Sequence, residues 1–183
     1  MKEQYRIAAK RSLTPEIGQI SVEAPLIAAR AKAGQFIILR VDEAGERIPL
    51  TISSAQDGKV TVVYQKVGGT TLALDQLQEG DCLHDFVGPL GTPTHVEGYR
   101  RVAVLGGGLG CAIALPVAKA MKEAGAQVDL FTAAEFGPQQ MDQYDAIAFG
   151  CPSMGAEQLE EGEFEPMFSA CEAKLSGKKL GLF

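Results

Sequence analysis

Arg47 and Thr51 lie in a short segment whose residue types suit an aromatic cofactor that carries a pyrophosphate. The segment reads Arg47-Ile48-Pro49-Leu50-Thr51. Arginine has forked donors that match phosphate oxygens. Pro49 and Leu50 could form an apolar wall for a flavin ring, and Thr51 could provide a hydrogen bond near its reactive nitrogen. A plain strand with one exposed arginine is the alternative, and physical chemistry alone favours it.

A second pattern that suits phosphate follows in Gly68-Gly69-Thr70-Thr71. Paired glycines before hydroxyl residues at a helix start present outward-pointing backbone N–H groups, and the helix dipole there favours negative charge. The alternative is a helix N-cap provided by Thr70 or Thr71. Both interpretations can hold together.

A glycine run, Gly106-Gly107-Gly108-Leu109-Gly110, follows a buried-strand pattern over residues 101–105 and precedes a helix predicted over residues 116–125. A strand, a glycine loop and a helix in this order open a dinucleotide-binding unit, in which glycines let the backbone approach a ligand phosphate. Cys111 stands at the last position of the GxGxxG pattern, so the match is not strict. Pro116 is expected in the first helical turn, where a missing N–H costs little.

Short alternating runs between turn residues predict an N-terminal antiparallel Greek-key β-barrel. Its predicted strands cover residues 20–24, 35–41, 59–65 and 81–87, with one short helix over 71–77. Four further strands, over residues 101–105, 128–132, 146–150 and 179–183, predict a parallel α/β sheet. The predicted domains are residues 1–97 and 98–183.

Composition excludes several classes of function. The net charge of −6 and the lack of a basic stripe argue against nucleic acid as a partner. No apolar run approaches the roughly 18 residues of a membrane span, and we expect a cytoplasmic protein. The four cysteines are isolated and predict no iron–sulfur cluster in this chain, and His84 and His95 are interpreted as structural or surface residues.

Five motifs in order resemble the FAD/NAD-binding electron-transfer subunits of the ferredoxin reductase superfamily. The most similar members are the small subunits of NADH-dependent ferredoxin:NADP oxidoreductase and of sulfide dehydrogenase, and the dihydroorotate dehydrogenase subunit is more distant. The resemblance implies that Arg47 and Thr51 contact FAD, that residues 68–71 bind its pyrophosphate, and that the glycine loop serves NAD(P). The motifs are Ala33-Gly34-Gln35-Phe36, Arg47-Ile48-Pro49-Leu50-Thr51, Val67-Gly68-Gly69-Thr70-Thr71, Gly88-Pro89-Leu90-Gly91 and Gly106-Gly107-Gly108-Leu109-Gly110.

From about residue 122 the chain instead resembles the middle of a short-chain flavodoxin. The strongest match covers residues 144–155. The resemblance implies a partial, four-stranded sheet of order 2-1-3-4 and flavin contacts from a loop that holds Ser153, Met154, Gly155 and Glu157. The hydroxyl-rich phosphate loop of flavodoxins is replaced here by glycines, so FMN binding is possible but its site is incomplete. The two resemblances meet within residues 116–125, as in a fusion, a truncated reading frame or an engineered recombinant.

The sequence leaves three functions open. The first is an oxidoreductase component in which FAD lies between barrel and sheet, accepts hydride from NAD(P)H and passes electrons to a redox partner subunit or a small electron-carrier protein. The second is a flavin-binding module without turnover, and the third is a folded recombinant or fragment without activity. Asp129 or Glu135 could meet a ribose hydroxyl, and the edge formed by residues 179–183 could support oligomers.

Overall fold

The computed structural model describes residues 5–151 and 162–182. The chain divides into two compact units, residues 1–94 and 95–183. The functional assignment of these units, to an FAD-binding barrel and a nucleotide-binding sheet, stays a prediction.

The first unit is an antiparallel sheet of seven strands that curls into a nearly closed barrel. The sheet order is β6-β1-β2-β5-β4-β3-β7. Its elements are β1 (Tyr5–Ser12), β2 (Ile17–Glu23), α1 (Pro25–Ala28), β3 (Phe36–Arg40), β4 (Ile48–Gln56), β5 (Lys59–Gln65), α2 (Gly69–Gln76), β6 (Cys82–Leu83) and β7 (Asp85–Leu90).

Closure of the barrel depends on the segment formed by β6 and β7. β6 pairs with β1, and β7, one residue later, pairs with β3. The segment was predicted as one strand over residues 81–87, and it is two because it changes partner at His84. Strand β2 pairs with β5 rather than β3, which makes β2 to β5 a Greek key. The predicted barrel is confirmed.

Alternation of apolar residues fills the barrel interior. Ile20 and Val22 of β2 and Val60, Val62 and Tyr64 of β5 are fully buried. Side chains at every second position of a strand share one face, so these two strands present a continuous apolar wall inward. The predicted strand over residues 59–65 matches β5.

The second unit is a parallel sheet with strand order β11-β10-β8-β9. In chain order this is 2-1-3-4, so the predicted topology is confirmed. Helix α3 contacts three of the strands, and an aromatic cluster that includes Phe149 and Phe164 covers the other face. The elements are β8 (Arg101–Gly106), α3 (Gly110–Glu123), β9 (Gln127–Phe131), β10 (Ala146–Gly150), α4 (Phe164–Cys171) and β11 (Lys179–Leu182).

The predicted position of Pro116 in a first helical turn is wrong. Helix α3 begins at Gly110, six residues earlier than the predicted start, and Pro116 lies inside it. The helix therefore lacks the backbone hydrogen bond that a residue with an N–H would make at this point. Gly110, the first residue of the helix, packs directly against the end of β10.

Asp145 joins the starts of two strands of the second sheet. Its carboxylate accepts hydrogen bonds from the backbone N–H of Arg101 at 2.6 Å and of Arg100 at 3.0 Å. Burial acts to raise the pKa of Asp145, but these N–H bonds outweigh it and hold the pKa below its ordinary value. The ionised carboxylate therefore stabilises the fold.

We expect Asp145→Asn to reveal this contribution through its pH dependence. Because the folded pKa is depressed, the stabilisation is present above the unfolded pKa of about 3.9 and is lost as the pH falls through the folded value. At pH 7 the variant should lose about 1–2 kcal/mol in the free energy of unfolding, measured by urea titration. The difference from wild type should narrow as the pH is lowered toward 2, and a constant difference would contradict this assignment.

Candidate functional site

The start of helix α2 forms an open cradle of backbone N–H groups. Gly68 precedes the helix in an extended conformation, with φ −124° and ψ 167°. The N–H groups of Gly69, Thr70 and Thr71 lie in the first turn, where a helix provides no acceptor. A Cβ added at Gly68 or Gly69 would meet nothing within 4 Å. We call residues 68–71 the α2 cradle, and its open space and donors fit a phosphate.

The side chain of Thr71 forms hydrogen bonds within the α2 cradle itself. The Thr71 hydroxyl accepts from the N–H groups of Val67 at 3.2 Å and Gly68 at 3.0 Å and donates to the Gly68 carbonyl. Its side chain is thus used within the turn, and only its N–H faces a ligand. The predicted N-cap at Thr70 or Thr71 is wrong, because Gly68 is the N-cap residue and both threonines lie within the first turn. The helix starts two residues before its predicted start because Gly69 and Thr70 already belong to its first turn.

Arg47 lies close to the α2 cradle in the fold. The residue before it, Glu46, accepts a hydrogen bond from the Thr70 hydroxyl at 3.4 Å. The Arg47 side chain is 61% exposed, and its Nη2 lies 3.0 Å from Asp85 Oδ2. Arg40 Nε lies 2.8 Å from the same oxygen. A guanidinium on an exposed side chain can reach an incoming phosphate at little cost, because exposed ion pairs are weak.

Asp85 is a member of this group that the sequence did not suggest. Burial acts to raise its pKa, but the charges of Arg40, His84 and Arg47 hold the pKa below its ordinary value. Asp85 is 38 residues from Arg47 in the chain, and no local spacing signals the pair. The carboxylate orients Arg47 while the guanidinium remains exposed.

Strand β4 places the other predicted flavin contacts on two faces. Leu50 packs against the barrel core, whereas Pro49 is exposed. Neighbouring strand residues point to opposite faces, so these two side chains do not form one wall. Thr51, on the same face as Pro49, is half-buried, and its hydroxyl has no hydrogen-bond partner among the described residues. Thr51 is therefore available to donate to a ligand.

The glycine loop of the second unit has both packing and open positions. A Cβ at Gly110 would lie 2.1 Å from the Gly150 carbonyl oxygen, and one at Gly106 would lie 2.7 Å from Cys111 Sγ. Gly108, with φ +50°, meets nothing within 4 Å. Gly106 and Gly110 are thus glycines because neighbouring atoms approach closely, and Gly108 is the position at which a ligand can approach.

Few N–H groups of this loop remain free. The N–H of Gly107 donates to the Gly150 carbonyl at 3.1 Å, and that of Gly110 donates to the Gly107 carbonyl at 2.8 Å. The N–H groups of Gly108 and Leu109 have no acceptor within the part of the chain that the structure describes. The loop can therefore offer two backbone donors to a phosphate.

The two acidic residues suggested for a ribose hydroxyl are engaged within the protein. Asp129 accepts from the Tyr144 hydroxyl at 2.9 Å and pairs with Arg101 at 3.2 Å. Glu135 accepts from the N–H and the hydroxyl of Thr132, and these bonds hold its pKa below the ordinary value. These bonds use one oxygen of each carboxylate, Oδ2 of Asp129 and Oε2 of Glu135, and a carboxylate has a second accepting oxygen. The contact of either residue with a ribose hydroxyl therefore stays a prediction.

Part of the predicted site lies outside the described residues. These positions are Ser153, Met154, Gly155 and Glu157. Over residues 5–151 and 162–182, no cluster of three or more metal-binding side chains is present. No helix in this part of the chain is long and apolar enough to cross a membrane.

A groove of about 640 Å³ lies at the amino ends of the parallel strands. Arg101, Tyr144 and Lys178 line it. The Arg101 Nη2 and the Tyr144 hydroxyl are bonded to Asp129, whereas the buried Arg101 Nε has no hydrogen-bond partner among the described residues. Lys178 donates to the carbonyls of Met141 and Tyr144. Because α/β sheets bind ligands at the carboxyl ends of their strands, this groove is not the candidate site.

Comparison with known proteins finds two kinds of relative. An electron transfer subunit homolog of dihydroorotate dehydrogenase B (NAD(+)) from Thermotoga maritima is 40% identical over 121 residues, which are 65% of this chain and 43% of that protein. A flavodoxin from Megasphaera elsdenii is 40% identical over 72 residues, which are 39% of this chain and 53% of that protein. The chain spans about half the length of these curated relatives. No family model matches it.

The fold is also found among solved structures. The NADH-dependent reduced ferredoxin-NADP oxidoreductase matches with a TM-score of 0.67 and 29% identity, over 100% of this chain and 57% of that one. The chain has a ferredoxin reductase-like fold. Over about two thirds of its length the chain is a homologue of the electron transfer subunits of dihydroorotate dehydrogenase B, and a shorter part is homologous to flavodoxins. Both predicted resemblances are confirmed, and the junction within residues 116–125 stays a prediction.

Proposed function

We propose that this chain is the flavin- and nicotinamide-binding part of an electron-transfer oxidoreductase that uses FAD and NAD(P)H and reduces a partner protein. One observation carries the proposal: the α2 cradle is open where a Cβ would meet no protein atom, and its Thr70 is bonded to Glu46, the neighbour in sequence of Arg47, whose side chain is exposed. Glycines that make no close contact in the folded chain are explained by a ligand that needs the space.

The residues of the first unit fit the pyrophosphate of FAD. The N–H groups of residues 69–71 donate to phosphate oxygens, and the dipole of α2 adds to the attraction. Arg47 neutralises part of the phosphate charge through its forked donors. Glu46 and Asp85 lie nearby and keep the local charge from becoming strongly positive.

Strand β4 would orient the flavin ring. The Thr51 hydroxyl donates a hydrogen bond toward the reactive part of the ring, which is the catalytic role we assign to it. Pro49 offers an apolar side chain on the same face, and Leu50 contributes mainly through its backbone because its side chain packs inward. When bound, FAD supplies the chemistry of accepting hydride and of releasing electrons singly.

In the second unit, Gly108 is the residue that would admit the phosphates of NAD(P)H. The N–H groups of Gly108 and Leu109 donate to them at the start of α3. This loop offers the phosphate of FMN two backbone donors and no hydroxyl side chain. We therefore expect little or no FMN binding. The relatives' description as electron transfer subunits supports a redox partner protein for this chain.

A flavin-binding module without turnover is the second candidate. It is favoured by the glycine loop of the second unit, in which the N–H groups of Gly107 and Gly110 are already bonded within the protein, so that few donors are left for a nicotinamide nucleotide. Association of the protein through β11, at the edge of the described sheet, stays a prediction.

An absorbance spectrum of the purified protein after addition of FAD tests the proposal. Bound FAD should give a yellow protein with a resolved flavin spectrum, and NADH or NADPH should bleach it under anaerobic conditions. A protein that retains FAD but is not bleached supports the module without turnover. A protein that stays colourless with excess FAD refutes both.

We expect Arg47→Ala to weaken FAD binding by about tenfold to a hundredfold, because a charge-assisted contact to phosphate contributes about 1.5–3 kcal/mol. The folded protein should keep its stability to within about 1 kcal/mol, since the pair with Asp85 is exposed. Dissociation constants from quenching of flavin fluorescence measure the effect. Arg30→Ala is the matched control, because Arg30 is also an exposed arginine of the first unit. Equal FAD affinity in both variants would contradict the role of Arg47.

A further inference from the structure

Helix α2 is too short to determine its own position. Isolated helices shorter than about 12–15 residues are marginal in water, and α2 has eight residues. Leu74 is its one fully buried side chain. Contacts with the barrel must therefore determine where its first turn lies.

The C-terminal end of α2 is held by a polar cluster from two strands. The Asp75 carboxylate accepts from the Tyr64 hydroxyl at 3.1 Å and lies 3.2 Å from Lys66 Nζ and 3.8 Å from Lys10 Nζ. Lys10 Nζ also donates to the carbonyl of Asp75 and, at 2.8 Å, to that of Leu77. We call Lys10, Tyr64, Lys66 and Asp75 the α2 clamp.

The charges of the α2 clamp suit its place at the end of a helix. Lysine beside the last carbonyls complements the negative end of the helix dipole. Burial acts to raise the pKa of Asp75, but hydrogen bonds from Lys66 and Tyr64 and the two lysine charges hold the pKa below its ordinary value. Asp75 is therefore ionised at neutral pH and is paired on both sides.

The α2 clamp is built on a rigid part of the barrel. Tyr64 is fully buried, and Gly18 is its cross-strand partner in the β2–β5 pair. A Cβ at Gly18 would lie 2.4 Å from Tyr64 Cζ. The absence of a side chain at Gly18 thus makes room for the ring, whose hydroxyl then reaches Asp75.

The two ends of α2 are held very differently. The C-terminal end has the α2 clamp, whereas the first turn has open space around Gly68 and Gly69. The Thr71 hydroxyl bonds only to residues next to the turn, and the bond from Thr70 to Glu46, at 3.4 Å, is the one side-chain bond among the described residues that ties the turn to a distant segment. We propose that Asp75 is a positioning residue that, through the α2 clamp, holds the first turn of α2 so that the N–H groups of the α2 cradle converge on a ligand phosphate. Asp75 lies four residues beyond Thr71, about 6 Å along the helix axis, so it acts without touching the ligand. This inference rests on the proposed function, in which that phosphate belongs to FAD.

Two conservative substitutions and two ligands test the positioning role. Asp75→Asn keeps the size of the side chain and removes its charge, and Tyr64→Phe removes one hydroxyl from a buried ring. Asp57→Asn is the control: it makes the same charge change on the turn between β4 and β5, and asparagine tolerates the positive φ of 51° there. Each protein is titrated with FAD and with riboflavin, which has the flavin ring but no phosphate.

We expect Asp75→Asn to weaken FAD by about tenfold and Tyr64→Phe by about threefold to fivefold. Riboflavin affinity should change by less than about twofold in both variants, because riboflavin makes no use of the α2 cradle. A variant that only destabilised the barrel would lose affinity for both FAD and riboflavin. A loss of affinity for FAD alone therefore indicates the positioning role. Asp57→Asn should bind both ligands as the wild type does.

The outcomes separate the two proposals. Unchanged FAD affinity in Asp75→Asn, or an equal loss for FAD and riboflavin, overturns the positioning role and leaves the proposed function standing. If the wild type binds FAD no more tightly than riboflavin, the α2 cradle does not bind the phosphate of FAD. That result refutes both the proposed cofactor site and the positioning role of Asp75. Should Asp75→Asn fail to fold, the same comparison on Tyr64→Phe decides.

Discussion

Gly110→Ala should destabilise the second unit by about 2 kcal/mol. The added methyl carbon would lie 2.1 Å from the Gly150 carbonyl oxygen and 2.8 Å from the Cys151 backbone nitrogen. These are backbone atoms of a fully buried strand, and they cannot rotate away as a flexible side chain would. Overpacking of this kind typically costs about 1–3 kcal/mol, and alanine's better helix propensity offsets at most about 1 kcal/mol.

Gly107→Ala is the matched control for this prediction. It adds the same methyl group to the same loop, but the new carbon would lie 3.6 Å from the Phe164 ring, an ordinary contact. Its effect on the free energy of unfolding should stay within about 0.5 kcal/mol. Urea unfolding followed by circular dichroism measures both. If the two variants had the same free energy of unfolding, the close contact between Gly110 of α3 and the end of β10 would be contradicted.

Gly68→Ala should lower the affinity for FAD by about tenfold to a hundredfold, which corresponds to about 1.4–2.7 kcal/mol, without loss of stability. The backbone at Gly68 is extended, a conformation open to alanine, and the methyl group would meet no protein atom within 4 Å. The folded chain therefore tolerates alanine there. The methyl group would instead occupy the space through which a phosphate reaches the N–H groups of the α2 cradle.

Gly45→Ala serves as the control for Gly68→Ala. It lies in the same unit, and its nearest contact would be 3.4 Å from Asp42 Oδ1, within the ordinary range. FAD titration and thermal unfolding are measured on both variants. Full FAD affinity in Gly68→Ala would mean that the open space does not hold the cofactor, whereas a loss of stability would mean that the glycine serves the fold.

The elements that the sequence predicts well are those whose burial is regular. Lys59–Gln65 alternates between buried positions and positions that are partly buried or exposed, and Ala146–Gly150 is buried at every position. The period-two pattern of the first strand and the apolar composition of the second are therefore both clear in the sequence. Strand β1 (Tyr5–Ser12) was not predicted, because Ile7 is its one buried residue and four of its eight residues are charged or exposed at the surface. Its position comes from pairing with β2 and β6, which the local sequence does not encode.

In the candidate site, too, the features set by neighbouring residues were predictable, whereas contacts between residues far apart in the sequence were not. The glycines of the α2 cradle were recognisable because a phosphate site needs consecutive small residues at a helix start. The partners of Arg47 and Asp75 were not, because Asp85 and Lys10 lie 38 and 65 residues away along the chain. The glycine loop was recognised as a unit, but only the structure separates Gly110, which packs, from Gly108, which is open.

Isothermal titration of FAD into the flavin-free protein tests most directly whether Arg47 and the α2 cradle hold a dinucleotide. The wild type should bind one FAD per chain, and the double variant Arg47→Ala/Gly68→Ala should lose at least about a hundredfold in affinity while keeping its circular dichroism spectrum. No heat of binding in the wild type, or full affinity in the double variant, would contradict the account.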